Sequence, residues 1–404
     1  MICIKVVQIN NVYLLGSTGK IVKDIHYALI ENNFKSIVCY SNGKKINEKN
    51  IYKVSNLLLQ KIDALTSRIT GIMYGGCIVQ TQRIIKILKK EKPDTVHIQC
   101  INGYTVNIYR LIKWLNDNNI KTVLTLHAEF MYTANCGYAL ECNKWITGCG
   151  NCPRLRKETK SVFIDNTHKS WTKMYNAFKG FKNIKVISVS PWLMDRAKTS
   201  PILKEFEHSV VFNGLDTDIF KVYDTKELKK KLNLENKKII FHATPFFNDD
   251  KNHIKGGYYI IELAKRLKND NVQVLVAGSY DKNIKVPDNI TLLDKIRDQV
   301  ELAKYYSMAD VFLLTSKKET FSMTTAESLC CGTPVVGFKA GAPEQIAIKE
   351  YSSFVEYGNI EQLYKQVIIY LNKKKDSKLQ KIAKEKYSKE NMVKSYIKIY
   401  ESLK

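Results

Sequence analysis

The sequence predicts an α/β protein of two Rossmann-like domains in tandem, each a parallel sheet covered by helices, with a cleft between them. Three observations predict it. The chain has 404 residues, enough for two domains that each bury their own core. Short apolar runs of strand length alternate with segments of helical period, the pattern of parallel strands buried on both faces. That alternation begins afresh past the middle of the chain.

In the first half, ICIKVVQI (2–9) reads as the opening strand, followed by a loop and a helix from about Gly19 to Glu31. SIVCY (36–40), DTVHI (94–98), KTVLTLH (121–127) and IKVISVS (184–190) are further strands, and 104–116 has helical period. The seam lies near 210–222, where VVFNGLDTDIF closes one unit and a Lys-rich helix at 226–233 opens the next. In the second half KKIIFHA (237–243), VQVLVAG (272–278), ITLLD (290–294), ADVFLLT (309–315) and TPVVGF (333–338) read as buried strands. Segments 256–269, 297–307 and 323–331 read as the helices between them. The tail, 376–404, reads as one polar helix with Tyr387, Met392, Tyr396 and Tyr400 on one side. The expected domains are therefore 1–212 and 213–385, with 386–404 a C-terminal helix that packs back on the first. Ligands of such sheets sit at the carboxyl ends of the strands.

Composition narrows the class. Hydrophobic residues make up 45% and charged residues 25%, a soluble globular balance. No stretch reaches the roughly 18 to 20 apolar residues of a membrane span. The opening MICIKVVQINN has neither a basic flank nor a small-residue cleavage site, so a cytoplasmic chain is expected. The net charge of +25 is uneven: residues 1–200 carry 30 Lys+Arg against 12 Asp+Glu. A basic surface of that kind attracts nucleic acid, anionic lipid headgroups or phosphorylated substrates, while a lysine-rich composition explains the same charge without any partner.

Six of the ten cysteines (Cys3, Cys39, Cys77, Cys100, Cys330 and Cys331) sit in apolar surroundings and read as small core residues. The other four, Cys136, Cys142, Cys149 and Cys152, are spaced C-x5-C-x6-C-x2-C. That set matches a closed, structural tetrahedral zinc site, with free thiols as the alternative. Disulfides do not suit a chain without an export signal.

The most specific stretch is 317–346, KKETFSMTTAESLCCGTPVVGFKAGAPEQI. It reads strand, loop, helix, strand. With a helix starting near Ser322, the backbone N–H groups of Met323, Thr324 and Thr325 face out of its N-terminus and suit a diphosphate. Glu327, further along, is placed to hold the two hydroxyls of a ribose. Glu319, ahead of the helix, reaches polar groups of a sugar beyond the diphosphate. Two acids at a helix start are also what a solvated helix favours, so the weight rests on the whole string.

Glu319, seven residues, Glu327 and then Gly332-Thr333-Pro334-Val335-Val336 resembles the signature of the family-four retaining glycosyltransferases, which have the GT-B fold, and among them the bacterial colanic acid and capsule type. The resemblance implies that Glu319 contacts the donor sugar and Glu327 the nucleotide ribose. Asn213-Gly214-Leu215-Asp216 with Phe220 looks like the family's interdomain segment. Lys255-Gly256-Gly257 looks like the lysine-glycine that brings a cation to the donor phosphates. Gly16-Ser17-Thr18-Gly19 looks like the glycine-rich first loop, with Gly19 nearest the diphosphate. The family's arginine ahead of that lysine is absent from FHATPFFNDDKNHIKGG, and Lys251, His242 or backbone donors must compensate. His127, at the end of TVLTLH, matches a histidine that faces the donor sugar; a satisfied structural histidine is the other reading. The Cys-rich loop, with Gly148-Cys149-Gly150-Asn151-Cys152-Pro153, is similar to one in related polysaccharide transferases.

What the resemblance implies is a hexosyltransferase with a UDP- or GDP-sugar donor, a saccharide acceptor that is lipid-linked, retention of configuration, and a place in exopolysaccharide or capsule synthesis. Glu319 and His127 would be catalytic. Gly19, Lys255, Ser322, Met323, Thr324, Thr325 and Glu327 would bind the nucleotide-sugar. No catalytic metal is expected, because the helix N-terminus and Lys255 stabilise the leaving diphosphate. A peripheral position on the inner leaflet is the matching localisation. The basic aromatic segment 168–182, HKSWTKMYNAFKGFK, reads either as a membrane-surface helix or, more simply, as a core face. A nucleotide-sugar epimerase of similar fold and a basic nucleic-acid-binding protein are the alternatives; no binding platform for nucleic acid is visible.

Overall fold

A computed structural model describes residues 4–268 and 270–403. Cys3 and the start of the first expected strand lie outside the described residues. The chain divides into two compact units: one runs to Phe212 and resumes at Met392, the other is Asn213–Asn391.

The first unit runs β1 (Lys5–Val12), α1 (Gly16–Glu31), β2 (Lys35–Asn42), β3 (Ile51–Lys53), α2 (Leu57–Thr70), α3 (Ile78–Glu91), β4 (Thr95–Ile98) and α4 (Ile108–Asp117). It continues with β5 (Thr122–Leu126), α5 (Phe130–Thr133), α6 (Leu155–Glu158), α7 (Thr167–Phe178), β6 (Ile184–Ser188), α8 (Pro191–Thr199) and β7 (Glu207–Val210). Its seven strands are ordered β3-β2-β1-β4-β5-β6-β7. All neighbours are parallel, so each strand is separated from the next by a crossover, and the central strands are buried on both faces and mostly apolar, with Gln8, Asn10 and His97 among the buried polar exceptions in β1 and β4.

The second unit runs α9 (Lys226–Lys231), β8 (Lys238–Phe247), α10 (Gly257–Arg266), β9 (Val272–Tyr280), β10 (Ile290–Leu293), α11 (Gln299–Met308), β11 (Val311–Leu314) and α12 (Met323–Cys330). Then follow β12 (Val335–Phe338), α13 (Pro343–Ile346), β13 (Ser352–Val355), α14 (Ile360–Leu371) and α15 (Lys378–Tyr387), and after them α16 (Lys389–Ser402), most of which belongs to the first unit. The six strands are parallel in the order β10-β9-β8-β11-β12-β13. The strand order reverses between β1 and β4 in the first unit and between β8 and β11 in the second. Within each unit, the switch point opens a crevice at the carboxyl ends of that unit's own strands.

Three expectations are corrected. Gly16 to Gly19 is the first turn of α1 rather than a loop: the chain turns at Leu14 and Gly16, both with positive φ, and the helix starts there. The tail is two helices. It breaks at Ser388, where Leu215 N–H donates to the Tyr387 carbonyl and Lys389 N–H to the Leu215 carbonyl, a parallel bridge that takes the bonds a continuous helix needs. From Met392, α16 belongs to the first unit, where Met392, Val393, Tyr396 and Tyr400 join Ile21, Ile25 and Val123 in one core. Finally, β3, β7 and β13 are strands that the apolar runs do not announce.

The 168–182 segment resolves in favour of packing. In α7, Met174 and Phe178 are buried. Trp171 stacks on Tyr175 at 5.4 Å and donates its indole N–H to the Trp145 carbonyl at 2.7 Å.

Candidate functional site

The exits of β8 and β11 build the main site from backbone outward. Gly256 has φ 68°, and a Cβ there would overlap the carbonyl oxygen of Thr315; one on Gly257 would overlap that of Asn248. Glycine is required at both because backbone packs directly on backbone. Lys317 N–H donates to the Ile254 carbonyl at 2.8 Å and Thr315 Oγ1 to that of Lys255 at 3.2 Å. Lys255 is thereby held against the strand that leads to Glu319, and its Nζ donates to Glu319 Oε1 at 2.6 Å. Both side chains are largely covered, at 26% and 12% exposed. The cation and the acid expected to meet two parts of one ligand are one hydrogen bond apart.

Glu319 is fixed by its backbone as well. Its N–H donates to the Ala340 carbonyl at 2.9 Å and its own carbonyl accepts from Ala342. The loop it pairs with is closed by Glu344, whose carboxylate accepts from the N–H groups of Ala340 and Gly341 at 3.0 Å.

Ser322 caps α12 from a left-handed conformation, φ 76°. Its Oγ accepts from Thr325 N–H at 3.3 Å and lies 2.9 Å from Thr325 Oγ1. Thr325 is fully buried. Its amide and hydroxyl therefore serve the cap, and Thr324 Oγ1 also lies 3.2 Å from Ser322 Oγ. Glu327 lies one turn further, part-exposed, and accepts from Tyr306 Oη at 2.9 Å. Burial, reinforced by the Glu327 charge, raises the Tyr306 hydroxyl well above its ordinary range, so it stays a donor. His242, at the same sheet end, gives its Nδ1 to the Leu313 carbonyl at 2.9 Å while its buried Nε2 has no hydrogen-bond partner. Burial lowers it to about 4, so it contributes no positive charge to a phosphate grip.

In the first unit, His127 follows β5 and lies 3.1 Å from Gln99 Oε1 through its Nε2. Gln99 donates to Gln8 Oε1 at 2.8 Å, and Gln8 to the Val22 carbonyl at 3.3 Å. Since Gln99 Oε1 only accepts, His127 carries its proton on Nε2. Burial pushes the imidazole down to about 4 and keeps it neutral. The amide chain links His127 to α1, in whose first turn Gly19 approaches Val12 and Leu14 so closely that a Cβ would stand 3.2 Å from each. Two residues on from His127 stands Glu129. It is fully buried and accepts from Arg196 Nε at 2.7 Å, Tyr132 Oη at 2.6 Å and Ala139 N–H at 2.7 Å.

Cys136, Cys142, Cys149 and Cys152 line one pocket with Asn135, Trp145 and Thr167. None is in a disulfide. Burial pushes the Cys136 and Cys149 thiols up to about 12. The donor set has the number and softness zinc takes, but among the described residues no group of three or more His, Cys, Asp or Glu already stands as a metal-ligand set.

Sequence reasoning missed Tyr306 and the Glu129–Arg196 pair. Neither has a local signal: each partner comes from a distant segment.

Residues 224–389 match the profile of a family described as glycosyl transferases, group 1. That match lies within the second unit. The chain is 22% identical over 335 residues to N-acetyl-alpha-D-glucosaminyl L-malate synthase of Bacillus anthracis, covering 79% of this chain and 77% of that protein. It is 18% identical to a protein of Escherichia coli K12 named as a colanic acid biosynthesis glycosyl transferase, WcaC, over 98% of this chain and all of that one. Among solved structures, Anabaena HepE in complex with UDP superposes with TM-score 0.67 over 99% of this chain and 100% of its own, at 13% identity. The two parallel-sheet units match the GT-B fold of these solved structures. No helix among the described residues is long and apolar enough to cross a membrane.

Proposed function

We propose that the protein transfers a hexose from a UDP- or GDP-sugar to a saccharide acceptor, lipid-linked and destined for a cell-surface polysaccharide, with retention of configuration. The observation that carries the reading is the Lys255–Glu319 pair at the second unit's switch point, ahead of the helix that bears Glu327. In this reading Lys255 leaves Glu319 to meet the diphosphate, the Met323 and Thr324 amides meet its oxygens, and Glu327 holds the ribose. The bond from the sugar's anomeric carbon to the diphosphate breaks as that carbon bonds the acceptor hydroxyl, whose proton passes to the departing phosphate. Lys255 and the helix N-terminus stabilise the charge that develops there. His127, neutral and held by Gln99, is a hydrogen-bonding group for substrate. HepE is a structure solved with UDP, and the WcaC name points to polysaccharide synthesis; both support the reading.

The proposal includes a structural zinc on Cys136, Cys142, Cys149 and Cys152, supported by the convergence of four thiols on one pocket. The decisive experiment for the transferase is Glu327→Ala. It is expected to abolish sugar transfer with the melting temperature retained, whereas wild-type turnover in that variant would reject the assignment.

A further inference from the structure

The outward face of α2 is built the wrong way round for a helix of a soluble domain. Its 14 residues, LLLQKIDALTSRIT, bury only Ser67. Leu58, Ile62, Leu65 and Ile69 follow one another at spacings of four, three and four, which puts them on one stripe, and all four are exposed. Leu57 beside them is 75% exposed. The side turned to the protein is the polar one. Asp63 accepts from Cys77 N–H at 2.8 Å and from Gln80 Nε2 at 2.6 Å, and Gln60 donates to the Ser41 carbonyl at 3.3 Å.

A second apolar element abuts the end of this helix. Val162, Phe163 and Ile164 are exposed in succession, Phe163 at 91%. Their loop is tied to α2: Asn166 Nδ2 donates to the Thr70 carbonyl at 2.7 Å, and Gly71 packs against the Ile164 carbonyl so closely that a Cβ would overlap it. Stripe and loop thus extend one apolar surface, of the kind that marks an interaction site.

We propose that this surface docks on an anionic lipid bilayer, with α2 lying in the interface and Phe163 inserted beside it. Charge selects the occupant. Residues 1–200 carry a net +18. Lys61 and Arg68 flank the stripe on α2, and Arg156, Lys157 and Lys160 are exposed in the segment that enters the loop. Apolar side chains ringed by Lys and Arg are what a membrane-surface helix presents. A second copy of the chain fits less well, because a two-fold interface would set these cations against themselves. The proposal is independent of the donor assignment, and it places the lipid surface on α2 rather than on α7.

The test is co-sedimentation of the full chain with vesicles of phosphatidylcholine alone and of phosphatidylcholine mixed with phosphatidylglycerol, at low and high salt. Binding is expected to the mixed vesicles and to weaken with salt. The double variant Ile62→Ser, Phe163→Ser is expected to lower the partition coefficient by roughly tenfold or more, since each loses an inserted apolar side chain. Both side chains are exposed, so its melting temperature should match the wild type and confirm that the fold is kept. Absence of binding to the mixed vesicles, or equal binding by the variant, overturns the proposal. So does a dimer in size-exclusion light scattering that the variant converts to monomer, which would assign the face to a second copy.

Discussion

Tyr306→Phe removes one oxygen from the proposed donor site and nothing else. The ring sits edge-on to Phe241 at 5.0 Å and against Phe312 at 5.3 Å, and those contacts survive in phenylalanine. What is lost is the bond to Glu327 Oε2 at 2.9 Å. Hydrogen bonds to charged groups contribute about 1.5–3 kcal/mol. Glu327 is part-exposed, so water replaces some of the loss and the lower figure applies. About 1.5 kcal/mol is roughly a tenfold rise in the donor dissociation constant. Isothermal titration calorimetry with the preferred nucleotide-sugar reads it directly, beside a melting curve expected to move by only a few degrees (on the order of 2–4 °C per kcal/mol for a domain of this size). An unchanged affinity in Tyr306→Phe, with binding lost in Glu327→Ala, would show that Tyr306 fills the core and does not position the glutamate.

Two further outcomes follow from the first unit. Arg196→Ala strands the buried Glu129 carboxylate, a loss of about 3–5 kcal/mol. In a domain of this size that lowers the melting temperature by roughly 6–20 °C, and a change under 2 °C or so by calorimetry would contradict the buried pair. Metal analysis of protein purified without chelator is expected to find zinc stoichiometric with the chain and lost in Cys149→Ser. Zinc-free protein that folds normally would leave the four thiols as plain pocket lining.

What the sequence made legible was local. The stretch from Glu319 to Val336 could be placed because a cap, an acid spacing and a small-residue turn all act within a few residues of one another. The sheets were visible because parallel strands buried on both faces are continuous apolar runs. β3, β7 and β13 were not, since they are short and mostly part-exposed: Glu207–Val210 has no fully buried residue. Thr325 shows the limit of reading a helix start from sequence, where a hydroxyl free to meet a ligand and one engaged by Ser322 look alike. Periodicity likewise gives α2 an apolar face without saying which way that face points. Asp63 decides it, through bonds to Cys77 and Gln80 that lie 14 and 17 residues away. The same distance problem hid Glu129 from Arg196, 67 residues apart, and Glu327 from Tyr306.

The central claim is that the second unit holds a nucleotide-sugar through Glu327 and Lys255. Thermal stabilisation against a panel of UDP-, GDP-, ADP- and CMP-sugars tests it most directly. The account predicts a rise in melting temperature with a UDP- or GDP-sugar that disappears in Glu327→Ala. A panel in which none of the four shifts the wild-type protein, or in which Glu327→Ala responds as the wild type does, would contradict it.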